Sequence, residues 1–341
     1  MIRRAILPAI VFVTLAACGG PGRPMRVVIP QRATMRVAAE SLAAHDVIAS
    51  ARLFGLYAKL RGGDRTIKAG TYQLPRSAKW SFVLDALRSG RGLVAQVTIP
   101  EGWELRQVIP QLALHLGVPR DSVEAAVRDT ALLHELDVPT PTLEGYLFPD
   151  TYVFADGATA RDAVRLMVRR FEQEWQPAWT ARLDTLGMSR HDVMTLASLV
   201  EREARKPEER PVIAAVYRNR LRDGELLQAD PTVQYALGAH QARLFYKDLL
   251  VESPYNTYRH KGLPPGPIGA PGRRSIEAAL WPAAVPFKYF VAWPDGHHEF
   301  RATFREHGVA VAAARKAWAA QRADTATQPA RSGLSPAAPR R

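Results

Sequence analysis

Cysteine is almost missing from this chain: its 341 residues include one, Cys18. One cysteine permits neither an internal disulfide framework nor a cysteine-based zinc module. Aromatic residues are also scarce, at 8%. The familiar catalytic signatures are absent as well: the sequence has no P-loop, no G-x-G-x-x-G, no G-x-S-x-G, no S-x-x-K and no H-E-x-x-H. That argues against nucleotide chemistry, serine acyl transfer and zinc peptidases. Acidic residues are in deficit, 33 against 46 Lys and Arg, for a formal charge of +13. Such a balance favours an anionic partner: nucleic acid, membrane headgroups or an acidic envelope polymer. Apolar residues make up 47% of the chain, enough for packed cores, and the length suggests two domains.

The N-terminus narrows the choice of partner. Met1-Ile-Arg-Arg4 is followed by an apolar run, Ala5 to Ala17, of 13 residues, short of the roughly 20 that span a bilayer. A cationic start and a short apolar run read as an export signal or short membrane anchor over residues 1–17. Leu15-Ala-Ala-Cys18 resembles a bacterial lipobox, in which the cysteine is lipidated. Export excludes nucleic acid as the partner. Residues 18–25, Gly/Pro-rich, read as a tether. Residues 324–341, low in large apolar side chains, read as a disordered tail.

Between the ends lies an internal similarity. Val27-Val-Ile-Pro30 with Thr34, Arg36 and Leu42 matches Val97-Thr-Ile-Pro100 with Glu104, Arg106 and Leu112, at a constant offset of 70. Each copy reads as a strand, a turn and an amphipathic helix, marking the starts of two successive subdomains. In the first, helical patterns over 36–60 precede a strand over 68–74 and a helix over 77–87 that ends at Ser89-Gly90. The expected class is α+β: a small module over 26–93 and a larger mixed α/β domain over 94–323 with long Pro/Gly-rich loops. The longest loop, Ser253 to Gly272, carries five prolines and four glycines. Its tyrosines and Asn256 suit an ordered, ligand-facing surface.

Candidate chemistry falls to carboxylates. His297-His-Glu299 with His307 lacks the i, i+4 spacing of a helical metal site, so no metal and no cofactor is expected. Ser189-Arg-His-Asp192 caps a helix with Val193, Ala197, Val200 and Ala204 on one stripe. Glu201 and Glu203 lie about 80° to either side of it. Periodicity does not choose between them. Glu201 could also be a surface partner of Arg205, four residues on.

Six ordered motifs break this tie. Ile99-Pro-Glu-Gly102, Leu143-Glu-Gly-Tyr-Leu-Phe-Pro-Asp-Thr-Tyr152, Leu196-Ala-Ser-Leu-Val-Glu-Arg-Glu203, Tyr217-Arg-Asn-Arg-Leu221, Leu227-Gln-Ala-Asp-Pro-Thr232 and Ser253-Pro-Tyr-Asn-Thr-Tyr258 with Gly262-Leu-Pro-Pro-Gly-Pro-Ile268 together resemble the MltG/YceG-like endolytic murein transglycosylases. The likeness runs from about Val27 to His307. Ala229, Ala270 and Gly308 depart from the family's usual residues. The resemblance implies a LysM-like module followed by a YceG-like catalytic domain. It implies a peptidoglycan lytic transglycosylase that cuts nascent glycan strands and leaves 1,6-anhydro ends, with Glu201 as the single catalytic acid and base. That role requires Glu201 uncharged, with Arg205 turned away.

Gln228, Asp230, Asn256 and Tyr258 are the expected partners of sugar hydroxyls and N-acetyl groups. Glu144 is either a substrate contact or a loop anchor, as is Asp150. Tyr146, Tyr255 and Tyr258 either stack on sugars or belong to the core. The resemblance further implies attachment to the inner membrane, by lipid on Cys18 or by the apolar segment, with the catalytic domain in the periplasm. Penicillin-binding proteins are the implied partners. A non-catalytic, glycan-gripping envelope lipoprotein is the alternative. Aminodeoxychorismate lyase is set aside, since an exported chain cannot reach folate intermediates.

Overall fold

The computed structural model describes residues 24–62, 67–239, 241 and 244–327. The segment read as an export signal or anchor, Cys18 and nearly all of the stretch read as a tether lie outside the described residues. Two units emerge, one holding residues up to Ala95 together with Phe154–Asp156, the other Gln96–Val153 and the chain from Gly157 onward.

The first unit opens with β1 (Met25–Ile29), α1 (Met35–Ala44) and α2 (Ala51–Leu60), continues through β2 (Gly70–Leu74) and α3 (Trp80–Ser89), and ends in the first residues of β3 (Leu93–Thr98). The helical pattern over 36–60 is therefore broken, at His45–Ser50, into two helices, each capped by a hydroxyl: Thr34 for α1 and Ser50 for α2. α3 stops at Gly90 in the left-handed conformation, which glycine enters without a Cβ clash. β1 and β2 pair antiparallel with Val27 opposite Tyr72, and β2 pairs antiparallel with β3. Alternation in β1 and β2 turns Val27, Ile29, Tyr72 and Leu74 onto Leu42, Phe54, Val83 and Leu87 of the three helices. Each fully buried side chain of this size contributes about 1.5–3 kcal/mol, and Phe54→Ala would cost about 3–5 kcal/mol through the cavity it leaves.

In the second unit α4 (Leu105–Leu116), α5 (Arg120–Ala126) and α6 (Thr130–Glu135) lead to β4 (Thr151–Ala155), then α7 (Ala160–Glu174), α8 (Pro177–Leu186), α9 (Arg190–Glu203), α10 (Arg210–Arg222), α11 (Asp230–Leu237), α12 (Arg273–Leu280), the hairpin strands β5 (Tyr289–Ala292) and β6 (His298–Arg301), and α13 (Phe304–Thr327). The offset-70 similarity has a structural meaning: Thr34 and Glu104 are the N-caps of α1 and α4. α13 extends through Thr327, four residues into the segment read as a tail.

At the centre stands α9. Ser189 and Asp192 form its capping box, as the sequence leads one to expect, but all eight residues from Val193 to Val200 are buried. A single buried stripe therefore understates it: α9 is enclosed on every side, and α10 and α12 pack against it. The long loop before α12 is ordered by specific bonds. Ser198 Oγ accepts from the Ile268 N–H, the Gly102 N–H donates to the Ala270 carbonyl, and the Ala270 N–H donates to the Trp103 carbonyl. Gly145, at φ +82°, lies so close to Pro267 that a Cβ there would sit 2.3 Å from the proline ring. Among the described residues no helix is long and apolar enough to cross a membrane.

Candidate active site

The last turn of α9 sends its two carboxylates to different places. Glu201, whose side chain is 7% exposed, accepts from Arg210 Nη2 at 3.1 Å. It also accepts from the Gly272 N–H at 3.0 Å and from Ser275 Oγ at 2.8 Å. Ser275 Oγ in turn accepts from Arg210 Nε at 2.9 Å, which fixes its own hydroxyl hydrogen on Glu201. Every partner donates, and one is a buried guanidinium. This is the setting of an acceptor that ties α9 to α10 and α12. The cation paired with Glu201 is Arg210, and not Arg205 four residues on.

Glu203 is the last residue of α9 and faces a cavity of about 560 Å³ whose lining includes Tyr217, Arg220, Gln228, Asp230, Tyr258 and Phe290. Burial pushes its carboxyl up from 4.5 to about 7, and the neighbouring negative charge of Asp230 adds to the shift. The bond from Tyr217 Oη, 3.0 Å from Glu203 Oε1, and the charges of Arg202 and Arg205 oppose it. The helix C-terminus, with its partial negative charge, favours the protonated form as well. Tyr217 occupies Oε1, so Oε2 is the oxygen left for a transferable proton.

Three of the expected substrate contacts line this same cavity. Gln228 is exposed, sits at φ +50°, and accepts from Arg220 Nη1 at 3.2 Å. That left-handed backbone is uncommon for a side chain with a Cβ and is maintained from outside: Thr257 receives the Gln228 N–H on its carbonyl and the Ala229 N–H on its hydroxyl. Asp230 opens α11 and accepts from Tyr258 Oη at 2.5 Å. Arg220 is itself buried and donates to the carbonyls of Leu226, Leu227 and Lys288, locking the segment before Gln228.

Other candidates are placed elsewhere. Asn256 is fully buried; its amide donates to the carbonyls of Leu249 and Val251 while its oxygen accepts from the Tyr258 N–H. With those bonds made it shapes the loop that presents Tyr258, and no group remains for a sugar. Glu144 is buried beneath the start of α4, where both its oxygens lie 3.1 Å from the Leu105 N–H. Burial raises it to about 8. It is the anchor of its two alternatives. Asp150 pairs with Arg170 at 2.7 Å, also an anchor. Tyr146 is core, bonded to His191 Nδ1 at 2.9 Å, and Tyr255 packs on Tyr235. His297 and His298 diverge, to Asp295 and Glu209, and among the described residues no three His, Cys, Asp or Glu are grouped to hold a metal.

Tyr217 and Arg220 escaped the sequence reading as site residues, although their motif was visible. Their spacing of three places both on one face of α10, a signal that points to a shared surface without saying which. Arg210 carried no signal at all.

The sequence model of the YceG-like family matches residues 27–313. The endolytic murein transglycosylase of Bacillus subtilis is 35% identical over 298 residues, covering 83% of this chain and 82% of the relative. The endolytic murein transglycosylase of Streptococcus pneumoniae D39 is 28% identical over 295 residues, covering 77% of this chain and 53% of its own length. A crystal structure of a yceG-like protein from Listeria monocytogenes superposes with a TM-score of 0.62 at 32% identity, covering 84% of this chain and 98% of that one. With the match spanning both units and reaching past Glu203, Gln228, Asp230 and Tyr258, this chain belongs to the YceG-like family.

Proposed function

We propose that this protein is an endolytic murein transglycosylase, a lyase that cuts the β-1,4 bond between N-acetylmuramic acid and N-acetylglucosamine within peptidoglycan strands and leaves 1,6-anhydro ends. The relatives' activity supports the reaction class. The observation that carries the mechanism is Glu203, held near pH 7 against a cavity lined by Gln228, Asp230 and Tyr258. We assign the acid role to Glu203 and a positioning role to Glu201.

Titration supplies the reason. A carboxyl left at 4.5 would be protonated in roughly one molecule in three hundred at pH 7, whereas one raised to about 7 is protonated in about half. Glu203 Oε2–H donates its proton to the glycosidic oxygen as the C1–O bond breaks. The C6 hydroxyl of the same muramyl ring closes on C1, and its proton returns to Glu203. No water is consumed and no second nucleophile is required, because the intramolecular hydroxyl has a high effective concentration. Asp230 supports the positive charge that develops at C1. Gln228 and Tyr258 offer hydrogen bonds to sugar hydroxyls and N-acetyl groups.

The same reading takes the first unit as the LysM-like module, places the protein at the inner membrane with the second unit in the periplasm, and attaches it through lipid on Cys18 or the apolar segment before it. Penicillin-binding proteins that polymerise the strand are the fitting partners. Mass spectrometry of purified sacculi digested by the protein tests the reaction: 1,6-anhydromuropeptides are expected. Reducing ends would mean a hydrolase, and no soluble product would mean a wall-binding protein without activity.

A further inference from the structure

The positive charge of this chain is not spread evenly. Between Met25 and Ala95 the sequence has 12 Lys and Arg against 4 Asp and Glu, +8 of the chain's +13. On that basic unit α2 is turned in an unusual way. Phe54 and Ala58 point into the core, and the opposite face should be polar. It is leucine instead: Leu53, Leu56 and Leu60 are 58%, 56% and 79% exposed. At about 100° per residue these three fall within about 60° of one another, and Arg52 and Lys59, both exposed, lie together along one edge of them. Single exposed apolar residues need no account, but three on the outer face of a ten-residue helix make a patch.

An apolar stripe edged with basic side chains is the pattern of a helix lying in the interface of an anionic bilayer, leucines among the acyl chains and cations at the phosphates. The chain also keeps this unit near such a surface if its apolar segment is inserted. Only residues 18–24 separate Ala17 from the start of β1, a reach of about 25 Å at full extension. A glycan strand would accept the charge but has no use for the leucines. We propose that α2 is an interfacial docking element through which the first unit rests on anionic phospholipid. This inference is independent of the chemistry at Glu203.

The test uses the full chain, reconstituted into phosphatidylglycerol-containing vesicles, with Leu56→Cys carrying an environment-sensitive fluorophore. The unsubstituted chain labelled in the same way supplies the blank for Cys18. Brominated acyl chains are expected to quench the label at position 56 at least threefold more than a label at Asp121→Cys in the second unit. Arg52→Glu with Lys59→Glu, or phosphatidylcholine vesicles, is expected to remove the difference. Equal quenching at the two positions would overturn the proposal, and so would a label at 56 that is shielded only when another protein is added. Because these side chains are exposed, the substitutions leave the fold intact, which a far-UV spectrum checks.

Discussion

Glu201 and Glu203, two residues apart on the final turn of α9, have opposite surroundings: one is gripped by Arg210, Ser275 and the Gly272 amide, the other meets a single tyrosine hydroxyl at the wall of a cavity. Their separation of about 200° around the helix allows this. Burial and the neighbouring Asp230 charge raise the Glu203 carboxyl, whereas Glu201 spends its oxygens on three donors.

The positioning role of Glu201 is measurable through stability. Glu201→Gln leaves Arg210 buried without its counter-charge, at an expected cost of about 3 kcal/mol. Chemical denaturation should show that loss. The fraction that remains folded should still release anhydro products, because the acid is elsewhere.

The pH dependence of activity follows from Glu203. Its protonated form is the active acid, so kcat/KM should fall as pH rises through about 7. Tyr217→Phe removes a hydrogen bond that favours the anion, so the falling limb should move to higher pH. Asp230→Asn removes the negative charge that favours the proton, so the limb should move to lower pH. Opposite displacements in the two variants, in pH–rate profiles, are the expected result.

Glu144 should set a pH dependence of stability rather than of rate. Its carboxyl is raised from 4.5 to about 8 in the fold. The folded state therefore holds a proton that the unfolded chain has released, and stability falls as pH rises from about 4.5 to 8. Glu144→Gln keeps an oxygen for the Leu105 N–H and cannot ionise. It should flatten that fall and be more stable than the parent at pH 8, with thermal melts as the readout.

Asn256 and Gln228 separate shaping from binding. Asn256→Ala strips the donors from two backbone carbonyls and should lower stability by about 2 kcal/mol. Gln228→Gly relieves a backbone at φ +50° and should leave the melting temperature equal or higher while raising KM for glycan several-fold.

Much of this arrangement was legible in the residues. The cap at Ser189 and the stop at Gly90 follow from local chemistry, and Gln228, Asp230 and Tyr258 do share a cavity. The choice between Glu201 and Glu203 was not legible, because it depends on Arg210 and Ser275, brought from nine and seventy-four residues away. Asn256 misled for a related reason. A polar residue in a loop reads as an outward-facing donor until the carbonyls it must satisfy, those of Leu249 and Val251, are seen beside it.

The most direct measurement is the product yield of Glu203→Gln on purified sacculi, followed by mass spectrometry beside Glu201→Gln at matched amounts of folded protein. The account predicts that Glu203→Gln folds yet lowers 1,6-anhydromuropeptide release at least a thousandfold, consistent with loss of the sole acid and base, while Glu201→Gln retains most of it. Undiminished release by Glu203→Gln, or abolition by Glu201→Gln alone, would contradict it.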